Sequence, residues 1–307
     1  MTASAPGKVV LCGEYAVLGG APAISMAVDR RANVSLRKAE AASVTSVGVL
    51  DGSDTQLLDC VCDTLGIGRP VAELVLDTRG FFDPASATKL GIGSSAALTV
   101  ALVRALCEPD PVVTDIFEFA LLAHRKFQRG AGSGVDIATS MAGGLVEYKI
   151  GSTPIPIAWP DGLYYRLLWS GVAASTTARL DSLAHGEVRT SADALMHASV
   201  LIAERWHQGD AAALIDEYTR YIVALEDFDA DHNLGIYDAG HDVLSAYKGP
   251  TNTVYKPCGA GGGDIGVVLG TDPDAVRDFA QYAAANGFRR LDMAIDPLGV
   301  RKHGVTT

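Results

Sequence analysis

The sequence predicts an α+β protein organised as two domains, residues 1–160 and 161–307. The chain of 307 residues is long enough for two domains of ordinary size. Hydrophobic residues make up 48% and charged residues 20%, a balance that supports a packed core rather than disorder. Each half begins with strand patterns and continues with helix patterns, and the turn-forming residues Trp159–Gly162 lie between the halves.

The first half begins with three strand patterns and continues with helices. Val9–Cys12 is a short apolar run, and Asn33–Arg37 alternates polar and apolar residues as a half-buried strand does. The weakly patterned stretch 40–54 is a loop or an edge hairpin. The remaining elements are a strand at Val71–Leu76 and helices at Ser94–Leu106, Pro111–Phe127 and Val135–Met141.

The second half repeats this order, with a strand before its helices. Tyr165–Ser170 is strand-like, and the next strand pattern is Gly266–Gly270. Helical patterns occupy Arg189–His207, Ala211–Leu225, Ile236–Ala246 and Asp272–Asn286.

Composition excludes several classes of partner. The net charge of −11 argues against nucleic acid, whose partners are basic, but allows an anionic small molecule held by a few local cations. Five cysteines without metal-binding spacing indicate free thiols in a reducing compartment. Val9–Cys12 is too short for a signal peptide or a membrane span, so we expect a cytoplasmic protein with no membrane partner.

A glycine-rich loop before the first predicted helix is the main candidate for phosphate binding. Gly91 and Gly93 allow tight turns, and the helix that begins at Ser94 offers unpaired N–H groups and the positive end of its dipole. The hydroxyl of Ser94 or Ser95 suits Mg²⁺, which prefers oxygen ligands. The alternative is a glycine-capped turn without a ligand.

A second glycine-rich stretch, Gly259–Asp264, follows Lys256. Three consecutive glycines cost backbone entropy without a packing gain, so the stretch suits a backbone nest for an anion or a substrate. A flexible turn is the alternative.

Two charged residues complete the candidate chemistry. Asp136 follows Gly130–Gly134 at the opening of a predicted helix, where it is either a general base or a residue favoured by the helix dipole. Lys8 precedes the first strand and either neutralises a transferring phosphoryl group or is a solvated strand-edge lysine.

Together these motifs resemble the GHMP kinase superfamily. Its first motif is similar to Pro6–Leu18, its second to the phosphate loop Leu90–Ala97, and its third to Gly259–Asp264. The motifs occur in order and span almost the whole chain.

Within the superfamily the chain most resembles the phosphomevalonate kinases. The resemblance lies in Lys89 before the phosphate loop and in the segments Ala123–Ser140, Trp169–Thr176 and Lys256–Cys258. Mevalonate kinases carry a Mg²⁺-binding glutamate eleven residues before the catalytic aspartate, a position that is Arg125 here. That departure favours a substrate already bearing a phosphate, for which Arg125, Lys126 and His124 offer cations.

The resemblance implies a GHMP kinase fold with an N-terminal α+β domain that carries the phosphate loop. It also implies a ferredoxin-like α+β C-terminal domain and an active site in the cleft between the two. The implied reaction is ATP-dependent phosphorylation of (R)-5-phosphomevalonate by a monomer or homodimer. Alternatives are mevalonate kinase, another GHMP kinase acting on an alcohol, and a metabolite-binding homologue without activity.

The implied site residues fall into four groups. Lys8, Asp136 and Lys89 are the catalytic residues, and Ser94 and Ser95 are the Mg²⁺ ligands. The predicted ATP-binding residues are Gly91, Ile92, Gly93, Ser94, Ser95 and Ala96. The predicted substrate-binding residues are Glu14, Tyr15, Arg125, Ser133, Gly134, Ser175, Thr176, Lys256, Gly261 and Gly262.

Overall fold

Strands and helices alternate along the chain in a mixed α+β fold, as predicted. The structure, a computed structural model, describes residues 2–48, 52–107, 113–130, 132–174 and 190–303. The strands are β1 (Thr2–Cys12), β2 (Ala23–Lys38), β3 (Ser43–Val47), β4 (Ala72–Asp77), β5 (Leu145–Tyr148), β6 (Ile155–Ile157), β7 (Tyr164–Trp169), β8 (Thr253–Pro257), β9 (Ile265–Gly270), β10 (Arg289–Leu291) and β11 (Arg301–His303). The helices are α1 (Ser53–Leu65), α2 (Ser94–Leu106), α3 (Val113–Phe127), α4 (Val135–Ala142), α5 (Thr190–Gln208), α6 (Ala211–His232), α7 (His241–Ser245) and α8 (Pro273–Ala285).

Two compact units make up the fold, and neither is one continuous segment. The first unit comprises Met1–Lys8, Met26–Val146 and Ala294–Thr307, and the second comprises Val9–Ser25 and Glu147–Met293. The predicted division at residue 160 assumed one segment for each domain. The observed division differs from the predicted one because the chain passes from one unit to the other within β1 and β2. Both strands are much longer than the short patterns from which strands were predicted in this region.

The first unit contains a sheet with the strand order β11-β1-β2-β4-β3. β2 and β4 are antiparallel, with Asn33 opposite Asp77, whereas β3 is parallel to β4. The stretch 40–54 therefore contributes an edge strand rather than a hairpin. Among its helices, α2 is apolar on nearly every face and is almost wholly buried, which fixes the loop before it.

The second unit contains a four-stranded antiparallel sheet with the order β10-β7-β9-β8. Along the chain, β7 is followed by α5, α6 and the short α7, then by β8, β9, α8 and β10. This is the β-α-β-β-α-β succession of ferredoxin-like domains, as predicted. Val276 and Phe279 of α8 pack on Leu168, Tyr255 and Val268 of the sheet to form its core.

One predicted helix, Ile236–Ala246, is shorter in the structure. The carboxylate of Asp229 accepts hydrogen bonds from the backbone N–H groups of Ile236 and Tyr237, which holds those residues in a turn. Gly240 then adopts a left-handed conformation (φ 87°), so the helix begins only at His241. No helix in the part of the chain that the structure describes is long and apolar enough to cross a membrane.

The side chain of Arg31 holds the last described segment of the first unit against β1. Its guanidinium donates to Asp296 Oδ2 (2.5 Å), to the carbonyls of Leu298 and Gly299 (2.9 and 2.7 Å), and to both the hydroxyl and the carbonyl of Ser4 (3.0 and 3.1 Å). The planar guanidinium thereby joins three backbone segments, a geometry that lysine cannot reproduce.

We expect Arg31→Ala to lower the free energy of unfolding by about 2–4 kcal/mol, because Asp296 would lose a partly buried partner. Arg30→Ala is the matched control, since Arg30 pairs with Asp29 at an exposed position where such pairs contribute about 0–1 kcal/mol. Urea denaturation of both variants checks the difference, and equal midpoints would contradict the role given to Arg31.

Candidate active site

The phosphate loop is a tight turn that β1 holds at the start of α2. Gly91 and Gly93 have positive φ angles of 78° and 79°, which side-chain-bearing residues rarely adopt. The backbone N–H of Lys8 donates to the carbonyl of Ile92 (2.9 Å), which fixes the loop to β1. Helix α2 begins at Ser94, and the backbone N–H groups of its first turn have no partner within the helix. Such groups at a helix N-terminus can bind an anion.

Lys8 and Asp136 meet beside this loop. Lys8 Nζ lies 3.2 Å from Asp136 Oδ1, and the lysine side chain is only 10% exposed while that of the aspartate is 34% exposed. A Cβ on Gly93 would lie 3.1 Å from Cγ and Cε of Lys8, so glycine leaves the room that the lysine stem occupies. The structure thus brings two of the predicted catalytic residues together at the phosphate loop.

Local structure explains the position of Asp136. Gly134, in a left-handed conformation (φ 88°), precedes α4, and Asp136 lies in the first turn of that helix. The Ser133 hydroxyl accepts a hydrogen bond from the Val135 backbone N–H (3.3 Å), which supports the turn. A carboxylate is favoured there by the helix dipole, so the structural and the catalytic interpretations of Asp136 are compatible.

His124 is buried beside the loop rather than available as a cation. Its Nε2 lies 3.1 Å from Ser95 Oγ, and the residue is 4% exposed. Burial lowers the pKa of His124; Asp136 opposes this effect and Lys8 adds to it, so the site favours the neutral imidazole. Burial therefore disfavours the predicted role of His124 as a cation for a substrate. Lys126 pairs with Asp63 at the surface (2.6 Å).

Three other predicted residues of the first unit are more accessible than His124, whereas the predicted ATP-binding residues Ile92 and Ala96 are buried. Lys89 is exposed just before the loop, and Arg125 is half-buried on α3. Ser94 is half-buried at the start of α2. Ser175 and Thr176 lie outside the described residues.

In the second unit, Glu14 and Lys256 form a buried ion pair. Lys256 Nζ donates to Glu14 Oε1 (2.5 Å), and both side chains are 1% exposed. Tyr221 donates to Glu14 Oε2 (2.6 Å) and accepts from the backbone N–H of Gly13 (2.8 Å). Burial alone would lower the pKa of Lys256, but the adjacent Glu14 outweighs it and the pKa lies above its usual value. These side chains bind each other, so their contact with substrate stays a prediction.

The third motif is an anchored loop rather than a flexible turn. The Tyr15 hydroxyl donates to the carbonyl of Ala260 (2.6 Å), and the N–H of Gly262 donates to the carbonyl of Ile236 (2.7 Å). A Cβ on Gly261 would lie 2.5 Å from that same Ile236 carbonyl, which explains the glycine. The loop backbone is therefore held in one shape.

A buried histidine that the sequence did not single out also supports this loop. His241 Nε2 lies 3.0 Å from the carbonyl of Gly263, and its Nδ1 lies 2.6 Å from the hydroxyl of Tyr255. A carbonyl only accepts, so Nε2 carries the hydrogen and Nδ1 accepts from Tyr255. Tyr218 and Tyr221 of α6 were also missed. The available signal was that both tyrosines lie on the apolar face of a predicted helix. Buried tyrosines usually find a hydrogen-bond partner, so this position indicates a buried polar network.

Comparison with known proteins agrees with this arrangement. A family model described as the GHMP kinases N terminal domain matches residues 73–144, which include the phosphate loop and Asp136. The phosphomevalonate kinase of Streptomyces sp. (strain CL190) is 30% identical over 347 residues, covering 89% of this chain and 90% of that protein. The chain belongs to the GHMP kinase family.

Other proteins similar to this GHMP kinase are mevalonate and phosphomevalonate kinases. The mevalonate kinase of Methanothermobacter thermautotrophicus is 39% identical over 153 residues, or 47% of this chain and 49% of that protein. Streptococcus pneumoniae phosphomevalonate kinase, solved in complex with phosphomevalonate and AMPPNP, superposes with a TM-score of 0.82 at 18% identity, over 96% of this chain and 99% of that one. The family model and the full-length relative thus place this chain among the small-molecule kinases of the GHMP family, and the superposition shows the shared fold.

Removing one partner of the Glu14–Lys256 pair should be far more costly than removing both. We expect Lys256→Met and Glu14→Leu each to lower the free energy of unfolding by about 3–5 kcal/mol, because each leaves a buried charge unpaired. The double variant should lose less than either single variant. Arg69→Gln, which breaks the exposed Asp59 pair, is the control, at about 0–1 kcal/mol. Chemical denaturation checks the series, and strictly additive losses would contradict it.

The burial of His241 should make stability depend on pH. Burial lowers its pKa from 6.5 to about 4, so between those values the unfolded chain binds a proton that the folded chain does not. The free energy of unfolding therefore falls as pH decreases through this window, by up to about 1.4 kcal/mol per pH unit. In His241→Gln the slope should be shallower. Denaturation curves at pH 7, 6, 5 and 4.5 test this, and parallel profiles would refute the assignment.

Proposed function

We propose that this GHMP kinase transfers the γ-phosphoryl group of ATP to the phosphate of (R)-5-phosphomevalonate, giving 5-diphosphomevalonate and ADP. The observation that carries the substrate assignment is the relationship to a phosphomevalonate kinase along 89% of the chain. Arg125 supports it, since a half-buried cation stands on α3 where a mevalonate kinase would present a carboxylate.

ATP is the phosphoryl donor in this proposal. Its phosphates lie over the backbone of Gly91–Ser95, where the loop and the first turn of α2 supply N–H groups. The related Streptococcus pneumoniae enzyme was solved with AMPPNP, an ATP analogue, which supports the same donor.

The residues present suit a Mg²⁺ ion that arrives with the nucleotide. Within the described residues, no group of three or more His, Cys, Asp and Glu side chains is placed to hold a metal. Mg²⁺ keeps several waters and needs only one or two protein oxygens beside nucleotide phosphates. Ser95 Oγ, Ser94 Oγ and the carboxylate of Asp136 are the oxygens available, and the ion would supply charge neutralisation at the transferring phosphoryl group.

The protein's own contribution is electrostatic. An oxygen of the substrate phosphate bonds to the γ-phosphorus while the bond to the β,γ-bridging oxygen breaks and ADP leaves. The acceptor oxygen is already ionised near neutral pH, so it needs no strong base. Lys8 neutralises charge on the transferring group, and Asp136, 3.2 Å from Lys8 Nζ, orients that ammonium. Lys89 and Arg125 hold phosphate groups as cations.

A second candidate reaction is the phosphorylation of mevalonate itself. The observation that favours it is the 39% identity to an archaeal mevalonate kinase over 47% of the chain. In that case the acceptor is an alcohol, and Asp136 acts as the general base. The intact Lys8–Asp136 pair argues against a third candidate, a metabolite-binding homologue without activity. Cytoplasmic location and a monomeric or homodimeric state stay predictions.

An acceptor panel tests the substrate. We expect coupled ADP-release assays with ATP and Mg²⁺ to show turnover on (R)-5-phosphomevalonate at least about 100-fold faster than on mevalonate, homoserine or galactose, because the half-buried Arg125 would lose its phosphate partner. Turnover on mevalonate but not on phosphomevalonate would overturn the substrate assignment while leaving the kinase assignment intact.

Substitution of Asp136 separates the two reactions. If Asp136 orients Lys8, Asp136→Asn should lower kcat by about 10–100-fold, whereas loss of a general base should cost about 100–10,000-fold. Lys8→Met should cost about 100–1,000-fold in kcat with a smaller change in KM, as expected for charge stabilised in the transition state. Single-turnover assays under saturating substrate give these values, and an unchanged kcat for Asp136→Asn would remove it from the mechanism.

A further inference from the structure

The hydrogen bond between His124 and Ser95 joins two helices of the first unit at the phosphate loop. His124 is on α3, Ser95 is the second residue of α2, and the atoms concerned, Nε2 and Oγ, lie 3.1 Å apart. The histidine is 4% exposed, while Ser95 is half-buried. The buried partner therefore controls a hydroxyl that is still accessible to a ligand.

The hydroxyl of a serine has one hydrogen and two lone pairs, and its partner decides where each points. If Nε2 accepts, the Ser95 hydrogen turns toward His124 and the oxygen lone pairs turn away from it. If Nε2 donates, one lone pair is used and the hydroxyl hydrogen is left for a phosphate. The two tautomers of one imidazole thus prepare Ser95 for opposite kinds of ligand.

We propose that His124 is a positioning residue whose Nε2 accepts the Ser95 hydroxyl hydrogen and so presents the Oγ lone pairs to the cation that accompanies the nucleotide phosphates. The inference rests on the proposed function, since it assigns Ser95 a role toward magnesium nucleotide. It requires the tautomer of His124 with hydrogen on Nδ1.

The position of Ser95 makes its hydroxyl the group that His124 can direct toward a ligand. The carbonyl of Ser95 already accepts a hydrogen bond from the Thr99 hydroxyl (2.7 Å). The side-chain hydroxyl is therefore the group of Ser95 that is left for a ligand at the loop. The described residues include no group of three or more His, Cys, Asp and Glu side chains that is placed to hold a metal. With few protein oxygens available, a hydroxyl fixed in the accepting orientation contributes more to cation binding.

The tautomer can be measured without nucleotide. In protein labelled with ¹⁵N-histidine, we expect the His124 ring, assigned by its loss in His124→Phe, to show Nδ1 protonated and Nε2 unprotonated. In Ser95→Ala the Nε2 resonance should move, because its hydrogen bond is gone. A spectrum with Nε2 protonated, or one that Ser95→Ala leaves unchanged, would overturn the inference whatever the reaction is.

Nucleotide binding gives the second readout. We expect Ser95→Ala and His124→Phe each to weaken binding of AMPPNP by about 10-fold in Mg²⁺, the double variant to be no weaker than either single variant, and none to change binding in EDTA. His124→Gln, whose amide oxygen accepts where Nε2 does, should restore binding to within about 3-fold. Glu118→Gln, at an exposed position on the same helix, is the matched control.

The outcomes separate this inference from the proposed function. Three outcomes would each overturn the role of His124 and leave the kinase assignment standing. They are fully additive losses of nucleotide affinity, losses that persist in EDTA, and failure of His124→Gln to restore binding although circular dichroism shows that it folds normally. If the unsubstituted protein bound no nucleotide, the proposed function would fail, and the metal-directed role of Ser95 with it.

Discussion

The absence of a side chain at Gly93 is the constraint on which the candidate site depends. A Cβ there would crowd the stem of Lys8 at 3.1 Å and would lie 3.7 Å from Asp136 Oδ2. One position therefore gives α2 its N-terminus, leaves room for the lysine and allows the carboxylate of α4 to approach. Lys8 reinforces the same point through its backbone, which donates to Ile92. The turn of the phosphate loop and the positions of Lys8 and Asp136 therefore all depend on the glycine at this position.

The second unit obtains order in a different way, from buried polar groups that satisfy one another. Glu14 accepts from both Lys256 and Tyr221, while His241 donates to Gly263 and accepts from Tyr255. Desolvating such groups is costly, so each network persists only because its members are paired. Both networks end on the third motif or on the strand beside it, and that loop is consequently held without help from a ligand.

The sequence predicted features that depend on neighbouring residues, such as the starts of helices. It missed side-chain contacts between residues that are far apart in the chain. The N-termini of α2 and α4 follow from the glycine-rich loops before them. The ferredoxin-like succession was implied by the family resemblance, because the patterns of the second half predict only two of its four strands. The pairing of Glu14 with Lys256 joins residues far apart in the chain, and no periodicity announces it. His124 lies next to Arg125 in a basic run, and only its burial on α3 shows that its pKa is lowered. The length of β1 was missed because its small residues do not form an apolar run.

The pairing of β1 with β11 has a consequence for how the chain is made. Thr2 lies opposite His303, and Arg31 ties the segment around Asp296 to the same strand. During synthesis from the N-terminus, β1 leaves the ribosome long before its neighbour exists. The pairing of Thr2–Ser4 with β11 forms only after β11 emerges, so the sheet of the first unit is completed after most residues of the second unit have been synthesised. An exposed edge of this kind is a natural point of contact for a chaperone or for aggregation while translation continues.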